Sequence, residues 1–178
     1  PKQVGALTTW SSAAGAAFHS LAIKTDGTLW SFGLNNFGQL GLGNTTNYSS
    51  PKQVGALTTW SSVLGGNYSA YALKTDKTAW SWGRNQYGQL GQGDTNNLSS
   101  PVQIGTRTGW KGFTTFGGTT QSAIDVNNVA WGWGQGGNGN LGQNSTTSFS
   151  SPVALGGPPN LSSAVSSPVQ IGTSSWTA

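Results

Sequence analysis

Very few side chains in this sequence could do chemistry. The 178-residue chain has one histidine, His19, four acids (Asp26, Asp76, Asp94 and Asp125), no glutamate and no cysteine. Without cysteine there is no thiol nucleophile, no disulfide and no thiolate-held metal. A catalytic histidine needs an orienting carboxylate and a nucleophile to activate, and no such trio can be nominated around His19. Asp26 and Asp76 fall in tight turns, Asp94 in Gly93-Asp94-Thr95-Asn96, and Asp125 on a strand where the matching residues are Lys24 and Lys74. No two can be argued into the separation of about 5–10 Å that glycoside hydrolysis requires. The chain reads as non-enzymatic: no catalytic residue, no cofactor and no metal site is expected. The carboxylates are also too few for tight calcium binding.

Binding chemistry is equally constrained. No glycine-rich segment leads into a helix or ends in Lys-Ser/Thr, so no phosphate-cradling loop is present. Eight cations give a net charge of +4 and a pI near 9.6. They are scattered over Lys2, Lys24, Lys52, Lys74, Lys77, Arg84, Arg107 and Lys111, with only Lys24 and Lys74 repeating in register. Electrostatic capture of DNA or RNA needs a concentrated patch, so nucleic acid is not the expected partner. No apolar run approaches the roughly 18 residues of a membrane helix, and no membrane span is expected. Charged residues make up 7% of the chain but aromatics reach 11%, which is enough for a core and argues against disorder.

These residues are positioned by a repeat. PKQVGALTTW at 1–10 recurs letter for letter at 51–60, followed by PVQIGTRTGW at 101–110 and PVQIGTSSW at 168–176. LAIKTDGTLWSFG (21–33) matches YALKTDKTAWSWG (71–83) and, more loosely, SAIDVNNVAWGWG (122–134). FGQLG, YGQLG and NGNLG follow in register at 37–41, 87–91 and 138–142, and the third unit gains one residue between Trp110 and Gly117. Such self-similarity marks an architecture whose units bury their faces only against neighbours. The units divide as 1–50, 51–100 and 101–151. An irregular insertion follows at 152–167, and a further unit starts at 168–178.

Each unit reads as β. Segments of about five or six residues alternate apolar and polar, rich in β-branched and aromatic types. Asp26-Gly27, Asp76-Lys77 and Asn127-Asn128 are turn pairs between two such segments. Glycine is too frequent for helices. Four short strands in about 50 residues fit a propeller blade, and about three and a half such units fit the chain. Trp30 with Phe32, Trp80 with Trp82 and Trp131 with Trp133 stand two apart on one strand face, where they pack between blades. Trp10, Trp60, Trp110 and Trp176 open successive units as core. His19, with Ser69 and Thr120 in its place later, is expected to hydrogen-bond near the inner strand.

The pattern Gly15, His19, Ala22, Asp26-Gly27, Trp30, Phe32-Gly33, Asn35 and Phe37-Gly38-Gln39-Leu40-Gly41 resembles the regulator of chromosome condensation repeat. The resemblance implies an all-β, seven-bladed propeller with blades of four antiparallel strands, of which this chain would be part. Its members include nucleotide-exchange factors, photoreceptors and many bacterial and viral proteins, so the resemblance leaves the function open. The sequence is read first as a non-catalytic structural or interaction module. Its expected partners are proteins: the rest of the propeller, other copies or an assembly. The polar, charge-poor surface places it outside the cell, on a cell surface or on a virion. Two alternatives stand beside this. One is a ligand- or glycan-binding propeller using loop residues Asn35, Asn36, Asn85, Gln86, Gln135 and Asn138; the other is a chromatin- or GTPase-directed regulator.

Overall fold

The computed structural model of the chain describes residues 9–116 and 118–155. It contains twelve strands among those residues and no helix: β1 (Trp10–Gly15), β2 (His19–Lys24), β3 (Leu29–Gly33), β4 (Tyr48–Gln53), β5 (Trp60–Gly65), β6 (Ser69–Lys74), β7 (Ala79–Gly83), β8 (Leu98–Gln103), β9 (Trp110–Phe116), β10 (Thr120–Asp125), β11 (Ala130–Gly134) and β12 (Phe149–Ala154). They form three four-stranded antiparallel sheets in sequential order, β1 to β4, β5 to β8 and β9 to β12. Each sheet is one blade. The first strands of successive blades meet, β1 with β5 and β5 with β9. The all-β propeller reading holds.

Three boundaries differ from the repeat. Pro51–Gln53 and Pro101–Gln103 do not open a blade; they finish β4 and β8, the last strands of the preceding blades. Likewise Pro152–Ala154, assigned above to an irregular insertion, belongs to β12. The letters repeat from the proline, but the new sheet begins only at Trp60 or Trp110, after a short crossing loop. The remainder of the insertion, the unit start at 168 and Trp176 lie outside the described residues. The extra residue of the third unit lengthens β9, adding the pair Phe116↔Thr120 where β1 and β5 have already turned.

The core lies between the blades. Leu21 and Ile23 of blade one pack with Ala70, Ala72, Trp60 and Trp82 of blade two, and Leu73 and Ala79 pack with Ala123, Trp110 and Trp133 of blade three. Burying each large side chain contributes roughly 1.5–3 kcal/mol. Polar bonds fix the joint. The loop after β3 reaches onto blade two, where the Trp82 indole N–H donates to the Gln39 carbonyl at 2.9 Å and Gly43 N–H donates to Ser99 O at 2.8 Å. The loop after β7 repeats this one blade on, through Trp133 to Gln89 O (2.8 Å) and Gly93 to Ser150 O (2.7 Å). Glycine is required where the loop crosses: a Cβ on Gly88 would come within 2.5 Å of Ser150 Cα, with φ at +75°.

A clear contrast follows. Gly88→Val forces a backbone shift and should lower stability by roughly 1–3 kcal/mol. Lys77 holds φ +63° at a hairpin tip where blade one has Gly27, so Lys77→Gly should be neutral or stabilising by up to about 1 kcal/mol. Thermal melts check both; a harmless Gly88→Val with a severe Lys77→Gly would contradict this packing.

Candidate functional site

Alternating strand direction gives the array two rims. One carries the β2–β3 tips and the loops that cross between blades. Here a cation covers a tryptophan in every blade: Lys24 Nζ is 3.9 Å from the Trp30 ring centre, Lys74 Nζ is 3.6 Å from that of Trp80, and Arg107 Cζ is 4.1 Å from that of Trp131. In blades one and two, Asp26 and Asp76 each bond the N–H and hydroxyl of the threonine two residues on, and that hydroxyl accepts the Trp30 or Trp80 indole. Those bonds to Thr28 and Thr78 hold both carboxyls below the usual carboxylate range. In blade three the residue in the lysine's place is Asp125. It bonds the N–H groups of Asn127 and Val129 and the Trp131 indole, while Arg107, from the crossing loop, pairs with it at 3.2 Å. The row of cations is thus matched by carboxylates. Lys74 is itself buried, and that burial lowers its pKa, with Asp76 opposing.

The other rim carries the β1–β2 turns and the long β3–β4 loops, and there an aromatic patch bridges blades one and two. Phe18 stacks on Tyr68 with ring centres 5.1 Å apart and planes at 21°, and Phe37 meets Tyr68 edge-on at 5.3 Å. The Arg84 guanidinium carbon lies 4.9 Å from the Phe37 ring centre and 5.5 Å from that of Tyr68. Arg84 Nη2 donates to Gln86 Oε1. Phe18 is 52% exposed. Phe18 and Tyr68 hold equivalent places 50 residues apart, directly before His19 and Ser69. Sequence reasoning missed this patch, although that equivalence was its signal: matching turns of adjacent blades must come side by side. At the next joint Thr119 and Gln135 stand where Tyr68 and Arg84 would be, so the patch does not repeat there.

The loop amides singled out by sequence divide in two. Asn35 and Asn85 are buried staples: their Oδ1 accepts Leu40 or Leu90 N–H at 2.8 Å, and Nδ2 donates to the carbonyl of Asn44 or Asp94. Asn36, Gln86 and Asn138 are exposed and Gln135 is half-buried, with its carbonyl accepting the Thr120 hydroxyl. Among these, Gln86 joins the aromatic patch.

His19 is 3% exposed, and neither ring nitrogen has a hydrogen-bond partner among the described residues. The expected polar role is seen only at its counterparts, where Tyr71 donates to Ser69 and Thr120 donates to Gln135. Blade one has Leu21 where Tyr71 stands, so no hydroxyl meets the imidazole. Burial lowers its pKa from 6.5 to about 4. The unfolded chain therefore takes up the proton first, and stability present above about pH 6.5 is lost as pH falls toward 4. His19→Ser should flatten the fall of the unfolding midpoint across that window, before the aspartates titrate. An unchanged slope would contradict the buried neutral imidazole.

With this geometry established, comparison with known proteins places the chain. No curated protein matches it by sequence. The fold is similar to that of Prp20p from Saccharomyces cerevisiae, with a TM-score of 0.75 and 20% identity over 84% of this chain and 39% of that one. Human WBSCR16 gives a TM-score of 0.71 and 25% identity over 83% of this chain and 38% of its own. The chain thus spans about two fifths of the structures it matches. The family model described as the regulator of chromosome condensation repeat matches residues 26–73 and 76–115, and a second model of the same repeat matches 61–89. With three blades, the loop-to-tryptophan joint and these matches in agreement, the chain belongs to the regulator of chromosome condensation repeat family.

Proposed function

We propose that the chain supplies blades to a propeller that binds and regulates a protein partner without chemistry of its own. The observation that carries this is the Phe18, Phe37, Tyr68 and Arg84 patch. Aromatic and arginine side chains dominate the energetic centres of protein interfaces, and these are held rigidly by two blades at once. The likeness in fold to Prp20p, a protein with binding properties to Gsp1p and histones that also forms a complex with Kap60, supports a protein partner. It favours a chromatin- or GTPase-directed regulator over a scaffold of a cell surface or virion. Ligand capture by the loop amides draws less support, because Asn35 and Asn85 are consumed inside their own loops.

Binding of the purified chain to purified core histones and to a small GTPase, followed by interferometry, tests the reading. Saturable binding to one of them is expected, weakened at least tenfold by the double substitution Phe18→Ala, Tyr68→Ala. Binding to neither, or binding indifferent to that substitution, would overturn it.

A further inference from the structure

We infer that the patch at the joint of blades one and two recognises an acidic peptide segment, with a carboxylate seated on Arg84 and a neighbouring apolar side chain on Phe18. The inference rests on the protein-binding reading above and names the chemistry of the partner.

Arg84 is unlike the cations that cover the tryptophans of this chain. Lys24, Lys74 and Arg107 each lie beside an aspartate of the same blade, at the opposite rim. Arg84 has no carboxylate partner among the described residues; its guanidinium bonds the neutral amide of Gln86. The aspartate of its own β7–β8 loop, Asp94, is occupied by the Asn85 amide and the Asn96 N–H. A guanidinium offers five N–H donors in a planar fork, suited to two-pronged binding of a carboxylate. Here the guanidinium is held before any partner arrives by the Phe37 and Tyr68 rings, which meet each other and lie together on it. Rings that fix a cation reduce the ordering cost of binding.

The surroundings select among anions. Phe18 extends the patch as an exposed apolar surface stacked on Tyr68, so a partner gains by placing an apolar side chain beside its carboxylate. A single-stranded nucleic acid would also stack on such rings, but it needs a basic groove along its backbone. The loop rim offers one cation in the patch, while Lys24, Lys74, Lys77 and Arg107 lie on the tips and crossing loops of the other rim. Charge and apolar area together favour an acidic protein segment.

A random dodecamer peptide library, selected on the immobilised full chain and counter-selected on Arg84→Ala, tests this. Enriched peptides should carry Asp or Glu next to an aromatic or aliphatic residue. The best of them, labelled with fluorescein and titrated by anisotropy, should bind at least tenfold more weakly to Arg84→Ala and to Phe18→Ala. Arg84→Lys, which keeps the charge and loses the fork, should also bind more weakly. Lys24→Ala at the opposite rim should bind within twofold of the parent, and near-ultraviolet circular dichroism confirms that each variant keeps its tryptophan packing. Replacing the peptide's acids by their amides should cost as much as Arg84→Ala. Equal binding of the amide form, still dependent on Phe18, would overturn the acidic preference while leaving the protein-binding reading intact. No enrichment, together with patch-dependent binding of an oligothymidine, would overturn both.

Discussion

One buried hydrogen bond organises this array: the indole N–H of a tryptophan in each following blade, donated to a carbonyl of the loop that the previous blade throws across it. A polar group inside such a joint costs about 1–3 kcal/mol if left unpaired, so loop and tryptophan must arrive together. The loop is made rigid for the task by its own side chains. Gln39 Oε1 accepts the Phe37 N–H at 2.9 Å, Asn35 Oδ1 accepts the Leu40 N–H at 2.8 Å, and the Gln39 carbonyl is left pointing at Trp82. Gly41 lets the loop lie flat on that indole, because a Cβ there would sit 2.9 Å from its nitrogen. The same loop carries Phe37 onto Tyr68 of the next blade. The aromatic patch is thus a by-product of the joint, and its rigidity is inherited from it.

The third blade separates what the physics demands from what the letters repeat. Asp125 occupies a lysine's position, which would place a carboxylate where the other blades put a cation over the ring. The fold keeps the cation by another route: Arg107, in the place of Leu57, folds over Trp131 and pairs with Asp125. Asp125 also assumes the turn-capping work of Asp26 and Asp76. Burial would raise its pKa, but the Val129 N–H, the Trp131 indole, the Asn127 N–H and Arg107 together hold it down. Elsewhere the exchange is incomplete. Gly136 stands in for the stapling asparagine: its N–H donates to the Ser148 hydroxyl and its carbonyl accepts the Gly139 N–H, with no side-chain amide to tie the loop. The invariants are a covered ring and a capped turn, and more than one residue set satisfies them.

Local patterns made most of the fold legible. Alternation, the Asp-Gly turn and tryptophans two apart each concern residues within one strand or hairpin, and the strands formed where those signals stood. Blade phase was harder, since Pro51-Lys52-Gln53 repeats faithfully and yet pairs backward, Trp30 with Gln53. The meaning of the Gly-Gln-Leu-Gly loop was out of reach for a related reason. Its partner lies 43 residues downstream in another sheet, and the bond uses a main-chain carbonyl that any residue could supply. The amides of Asn35 and Asn85 looked available because polar loop residues usually face water; here the backbone of a long loop required them. His19 was legible as a position but not as an unpartnered imidazole, because its environment depends on Leu21 replacing a tyrosine.

A surface proposed to bind a protein partner must be held still, and in this chain the tryptophan joint does the holding. The most direct measurement is hydrogen exchange of the individual indole N–H groups by nuclear magnetic resonance. Trp82 and Trp133 are buried and bonded across blades, whereas Trp30 and Trp80 are half-buried and bonded to a threonine of their own hairpin. The joint as described has the first two exchange only through global opening, with protection that falls in step with added denaturant, while the second two exchange faster through local fluctuation. Equal and rapid exchange at all four would contradict it, showing that the blades are held by apolar contact alone and that the loop is not fixed to its neighbour.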